Sequence, residues 1–212
     1  PRPGALRAGM FAQGRILLID ATTPTPDQDS GSVRYINVIK VLRSLGWQCT
    51  FFADNRAHVP RYSEALRALG VEVQYSPWMN DPVAFFRQRG AEFDAVMLSR
   101  HYVARHYVEL VREHAPQALL LFDTVDLHYL REQRAAQVEG SEALERQSQD
   151  TRTAELDLVQ RCDVTLVVSP VEKALLAEEA PGRRVEILSN VHEVAGRRAG
   201  FEARKDLWFV GG

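Results

Sequence analysis

The chain has 212 residues, a formal charge of −2 and 45% hydrophobic residues. That balance excludes intrinsic disorder and a chain-wide electrostatic field for nucleic acid, so an anionic ligand needs a local site. The two cysteines, Cys49 and Cys162, lack any C-x-x-C or Cys/His spacing, which speaks against a zinc site and a disulfide framework and predicts buried thiols in a reducing compartment. The longest apolar runs, 118–122 and 164–168, fall far short of the roughly 20 residues that span a bilayer, and 1–14 carries no apolar stretch of the kind a secretory signal needs. A cytoplasmic protein is the expectation.

Residues 1–14 read as an N-terminal extension, and 15–189 as one domain built from alternating strands and helices. The first strand is 15–20 (RILLID), followed by a long proline-containing loop and a helix over 31–45 that stops at Gly46. Further strands are expected at 48–53, 71–75 and 93–98, with Asp81 before Pro82 marking a helix start. A fifth strand at 118–122 leads into a long polar helical stretch over 127–161, broken near Gly140-Ser141, whose polar faces are read as solvent-facing. Strands at 163–168 and 184–188 complete seven, and Ser169-Pro170-Val171-Glu172 has capping-box spacing between strand and helix. Several runs are continuously apolar, as strands buried on both faces should be. The fold class is therefore α/β, a doubly wound, mostly parallel sheet of about seven strands with helices on both sides. Residues 190–205 read as an interdomain linker, and 206–212 as the opening strand and glycine turn of a second domain.

In such sheets ligands bind at the carboxyl ends of the strands, so the loops after each strand are the places to look. The first, 21–30, is longer than the usual ~2–6 residues of a βα loop and ends in Ser30-Gly31-Ser32. A glycine there can bring backbone N–H groups against a phosphate, although Ser30 acting only as a helix cap accounts for the same residues. No G-x-G-x-x-G or G-K-S/T is present, so a dinucleotide oxidoreductase or P-loop protein has little support, and Asp54 after the second strand is a weak ribose-binding hint. The segment 122–131 (FDTVDLHYLR) places two carboxylates and His128 within six residues, suited to polar recognition of a substrate. Helix capping by Asp126 or Thr124, with Asp123 paired to an arginine, is the structural alternative. No third, distant ligand is evident, so no metal is expected. Arg100 and His101, after the fourth strand, suit an anionic or polyhydroxylated ligand, or a plain surface.

Four segments carry a resemblance. They are the first strand and loop leading to Ser30-Gly31-Ser32 and Arg34; the segment 122–132 containing His128; the segment 185–193 (VEILSNVHE), like an I-P-N-G motif with Ser189 and Val191 in place of its proline and glycine; and 207–212 (LWFVGG). In this order they resemble the N-terminal Rossmann-like domain of a GT-B glycosyltransferase, most similar to the retaining family 4 enzymes of bacterial polysaccharide assembly. The resemblance implies an N-terminal half that moves a sugar from a nucleotide-sugar donor, as co-substrate and without a cofactor, to a saccharide or lipid-linked acceptor. The donor nucleotide would lie mainly on a C-terminal domain of the same chain, and this half alone would be inactive. It further implies that Ser30, Gly31 and Ser32 approach the donor diphosphate and that His128 is the catalytic candidate, contacting the donor sugar. Arg100, His101, Asp126, Arg131 and Asn190 are the substrate-contact candidates. Nucleic acid is not an expected partner; peripheral contact with the inner face of a membrane is compatible with a lipid-linked acceptor. The competing expectation is a non-catalytic Rossmann-like ligand-binding or regulatory module.

Overall fold

Seven strands form one sheet in the computed structural model, which describes residues 13–194, 196, 200–203 and 205. They are β1 (Gly14–Asp20), β2 (Trp47–Ala53), β3 (Glu72–Gln74), β4 (Ala95–Ser99), β5 (Leu119–Asp123), β6 (Val164–Val167) and β7 (Val185–Ile187). Their order is β3-β2-β1-β4-β5-β6-β7 and every pairing is parallel, so the expected fold class holds and "mostly" parallel becomes wholly parallel. In the central strand β1, Leu17 pairs with Thr50 on one side and Val96 on the other. Leu17, Leu18 and Ile19 are fully buried, which explains why the sequence of this strand is continuously apolar.

The helices are α1 (Ser30–Ser44), α2 (Pro60–Ala68), α3 (Pro82–Arg89), α4 (His101–His114), α5 (His128–Glu139), α6 (Glu142–Arg161) and α7 (Pro170–Glu179). They pack in two layers, because adjacent strand residues face opposite ways. Tyr35, Val38 and Ile39 of α1 and Leu66 of α2 join Leu18 and Phe51 on one face of the sheet. On the other face Phe85 and Phe86 of α3, Val103 and Val108 of α4, Leu158 of α6 and Leu176 of α7 join Leu17, Phe52 and Leu120. Phe52 meets Phe85 and Tyr107 edge-on, each at 5.5 Å between ring centres. The helices therefore change sides between β1 and β4, which makes that junction the topological switch point of the sheet.

Local sequence explains several of the helix boundaries. Asp81 Oδ1 accepts the N–H groups of Val83 and Ala84 with Pro82 in the first turn. Ser169 Oγ accepts the Glu172 N–H at 3.2 Å, and the Glu172 carboxylate reaches back to the Val168 N–H at 3.0 Å, one residue earlier than in the usual capping box. Gly140, at φ 63°, ends α5, and Ser141 caps α6.

A buried ion pair fixes α1 against the far half of the sheet. Arg34 donates from both Nη atoms to the two Asp123 oxygens, each at 2.8 Å, and neither side chain is more than 2% exposed. Ser99 Oγ donates to the same carboxylate. Arg34 Nη2 also donates to the Leu188 carbonyl at 2.9 Å, Asn37 Nδ2 to the Val191 carbonyl at 2.7 Å, and Lys40 pairs with Glu193. The stretch after β7 is thus held along α1. The expected extension lies almost wholly outside the described residues, as do parts of the expected linker and the strand expected at 206–212. Among the described residues no helix is long and apolar enough to cross a membrane.

Two measurements check this account. Arg34→Met strands a buried carboxylate and should cost about 3–5 kcal/mol in urea unfolding, with part of the loss restored when Asp123→Leu is added to it. A loss below about 1 kcal/mol would mean the pair behaves like a surface contact. Burial pushes the Cys49 thiol up to about 11 and the Cys162 thiol up to about 12. A thiol reagent at about pH 8 should therefore label neither cysteine in the native protein and both on unfolding; fast labelling of either would contradict the packing.

Candidate functional site

The carboxyl ends of β1, β4 and β5 bring the expected site residues into one region. At the end of β1, Asp20 is 7% exposed and its Oδ1 accepts from the Ala21 N–H at 2.7 Å and from Arg100 Nε at 2.8 Å. Burial pushes the Asp20 carboxyl above its ordinary value, although Arg100 and the Ala21 amide pull the other way. Arg100, after β4, has φ 68° and ψ 134°, a conformation that side-chain-bearing residues rarely adopt. Its N–H donates to the Asp123 carbonyl, and its Nη2 lies 3.5 Å from where a Cβ on Gly31 would stand. Arg100 is therefore tied into the site rather than free on the surface.

Ser30 does not cap α1. The cap is Asp29, whose Oδ1 accepts the Ser32 N–H at 2.7 Å while Oδ2 accepts the Ser32 hydroxyl at 2.6 Å. Burial alone would raise the Asp29 carboxyl, but the Ser32 hydroxyl and amide, with Thr25, hold it below the ordinary aspartate range. A carboxylate offers two acceptors to the turn where a serine offers one, so aspartate wins the capping position. Ser32 is consequently occupied, and among the described residues the helix-start amides of Ser30 and Gly31 are the donors left over.

One strand further along, neither Thr124 nor Asp126 caps α5. Thr124 donates through N–H and Oγ to the Leu166 carbonyl, and Asp126 pairs with Arg131 at 2.7 Å. The N-terminus of α5 is capped from other helices instead. Glu172 of α7 accepts the Leu127 N–H at 3.1 Å, and Glu155 of α6 accepts the His128 N–H at 3.1 Å and the Tyr129 N–H at 3.2 Å. Asp126 and Arg131 line a cavity of about 290 Å³ with Leu130, Arg134, Ser169 and Val171.

His128 itself is 5% exposed. Its ring packs edge-on against His101, 4.9 Å between centres, and against the half-exposed Tyr102 at 5.9 Å. Its Nδ1 lies 3.0 Å from the Asp126 carbonyl; a carbonyl only accepts, so that nitrogen carries a proton and donates. Oε1 of Glu155, a fully buried residue, stands 3.4 Å from His128 Nδ1 and 3.6 Å from His101 Nδ1. Burial works to raise the Glu155 carboxyl, yet the adjacent His101 and His128 rings and the two backbone amides hold it below the ordinary glutamate range. His101 Nδ1 is buried with no hydrogen-bond partner. Glu155 is the third, distant ligand type missing from the sequence reading, and one atom from each of His101, His128 and Glu155 lies within 4.8 Å of the others. With His128 Nδ1 turned to the Asp126 carbonyl, Nε2 is the atom that ring could offer a metal.

Asn190 is exposed on the stretch after β7 and makes no hydrogen bond or ion pair with the other candidates among the described residues. Asp54 accepts from Tyr107 Oη at 2.6 Å. A cavity of about 400 Å³ lies at the opposite, amino ends of β1 and β2, between Arg15, Arg43, Glu72 and Arg89. Its charges are matched there, Arg89 with Glu72 and Glu92, Arg15 with Glu92, and Arg43 with the Leu69 and Trp47 carbonyls.

No protein-family model matches the chain, and no curated protein matches it in sequence. Among solved structures it is similar to apo UGT2 of Phytolacca americana, with a TM-score of 0.50 and 12% identity. The match covers 85% of this chain and 53% of that one, so the chain spans about half the length of the structure it resembles. At that identity the likeness is one of fold alone, that of the α/β domain described above.

Proposed function

We propose that the chain is the acceptor-side, N-terminal half of a retaining glycosyltransferase that moves a sugar from a nucleotide-sugar donor to a saccharide or lipid-linked acceptor. The observation that carries the reading is at the switch point between β1 and β4. There the Asp20-bound guanidinium of Arg100 stands beside Gly31 at the start of α1, and the paired imidazoles of His101 and His128 follow one strand away. Open parallel sheets bind their ligands in this crevice. The similar structure, a UDP-glycosyltransferase, supports the same class.

In this reading the free amides of Ser30 and Gly31, with Arg100, face the donor diphosphate and stabilise the charge that builds on the leaving group. His128 contacts the donor sugar through Nε2, since Nδ1 is committed to the Asp126 carbonyl. Asp126 and Arg131, on the neighbouring cavity, are placed for acceptor hydroxyls. Retention of configuration and a role in bacterial polysaccharide assembly rest on the motif resemblance of 30–34, 122–132 and 185–193 to family 4 enzymes alone. The remaining donor contacts fall to a second domain of the same protein. A cytoplasmic setting, with the acceptor presented at the inner face of a membrane, fits this assignment.

One observation favours the alternative of a non-catalytic binding module. Asp29 sets a carboxylate at the very helix terminus where a diphosphate would sit, and like charges compete for the same donors.

The two readings separate in donor hydrolysis and transfer by the full-length protein that carries these residues, assayed over a panel of nucleotide sugars. The expected result is turnover of at least one donor and a drop of about 100-fold or more in both Gly31→Val and His128→Ala, each shown to fold. Bulk at Gly31 would press on Asp29 Oδ1, 3.2 Å from the added Cβ, and on Arg100. A folded native protein that neither binds nor turns over any donor would leave the binding module as the better account.

A further inference from the structure

We propose that Glu155 is the positioning residue of this site, holding His128 with its ring proton on Nδ1 so that Nε2 is the atom offered to a substrate. The proposal rests on the reading of His128 as the donor-sugar contact. Glu155 lies in the middle of a helix where it is the one buried acidic residue; Glu142, Asp150 and Asp157 are exposed. A fully buried carboxylate is costly unless its oxygens are satisfied, and this one is satisfied only at the site. Each oxygen takes one backbone N–H, from His128 and from Tyr129, so the carboxylate fixes the chain at the residue whose ring matters. The same Oε1 then faces the Nδ1 edges of both imidazoles, from His128 at 3.4 Å and His101 at 3.6 Å.

That placement selects a tautomer. A negative charge beside Nδ1 favours the ring form that carries hydrogen there, and the Asp126 carbonyl at 3.0 Å accepts that hydrogen. No group among the described residues bonds Nε2, which remains for a ligand. The other charged groups nearby are engaged elsewhere: Arg131 with the Asp126 carboxylate, Glu172 with the Leu127 N–H, and Glu179 with Tyr129 Oη and Arg152. Asp126 Oδ1 also stands 3.7 Å from His128 Nδ1, but its carboxylate is shared with Arg131 and is partly exposed. Glu155 is the fully buried carboxylate that faces both imidazoles. His101, wedged between Glu155 and the His128 ring, limits how far either can move.

The experiment is nitrogen-15 spectroscopy of the histidine rings in this chain at about pH 8, where an unperturbed imidazole is neutral. The expected native spectrum has His128 protonated at Nδ1 and bare at Nε2; a native ring protonated at Nε2 overturns the proposal with no variant needed. In Glu155→Gln, with its fold checked by circular dichroism, the Nε2-protonated form should become detectable. Turnover by the full-length variant should fall about 10- to 100-fold in kcat with donor KM nearly unchanged. A folded Gln variant with the native tautomer overturns the proposal. So does stoichiometric binding of Zn²⁺ alone that strips the Nδ1 proton, which would make the three residues metal ligands. The expected tautomer in a protein inactive on every donor would retain Glu155 in this role and remove the transferase reading.

Discussion

The Arg34–Asp123 pair is the constraint on which the site geometry rests. Both partners are out of water, so each would be destabilising alone, and the two-pronged contact at 2.8 Å is what makes their burial tolerable. Its position does more than its energy. Arg34 belongs to the helix after β1 and Asp123 ends β5, two strands away across the switch point, while the same guanidinium holds the Leu188 carbonyl beyond β7. Three distant stretches of chain are thereby registered on one planar group. A lysine could not do this, because it has no fork of fixed donors.

Strain collects around that anchor. Arg100, directly after β4, and Val125, two residues after β5, are both side-chain-bearing residues at positive φ. Each such residue costs on the order of 1–3 kcal/mol and persists only where its surroundings over-determine it. For Arg100 the determinants are visible: its N–H is held by the Asp123 carbonyl and its Nε by Asp20. The turn throws His101 into the first position of α4, and the turn at Val125 does the same for His128 at the start of α5. The two imidazoles meet because two neighbouring parallel strands end in strained turns of similar reach.

The sheet was legible in the sequence because its central strands are buried on both faces, which leaves continuous apolar runs bounded by helix signals. Asp81-Pro82 and Ser169 through Glu172 were legible for a related reason, since their caps are made within four residues of chain. The site was only half legible. Gly31, Arg100, His101, His128, Asp126 and Arg131 fall at strand ends, where topology alone directs attention. Asp29 was overshadowed by the Ser30-Gly31-Ser32 cluster beside it. Glu155 was hidden by composition: α6 is so rich in Glu, Arg and Gln that its polar residues read as solvent-facing. A signal existed, since Ser148, Thr151, Glu155, Leu158 and Cys162 recur at spacings of three and four and all are buried. Glu155 is the charged member of an otherwise uncharged stripe, and a charge on a buried stripe needs a partner somewhere else in the fold.

The capping of α5 shows why such a partner could not be found locally. Three successive N–H groups, on Leu127, His128 and Tyr129, are received by carboxylates from α7 and α6, while the nearby Thr124 and Asp126 turn to other partners. A local cap would form as soon as the helix does, and would place its first residues relative to the helix alone. Remote caps form only when α5, α6 and α7 are assembled on the sheet, and they place His128 relative to all three. Two negative groups at this terminus also oppose the positive end of the helix dipole, which offsets part of the cost of burying Glu155. The histidine is thus located by the tertiary structure to the accuracy of hydrogen-bonded contacts, as a group that must meet a substrate atom requires, and a sequence window around it carries too little information to show that.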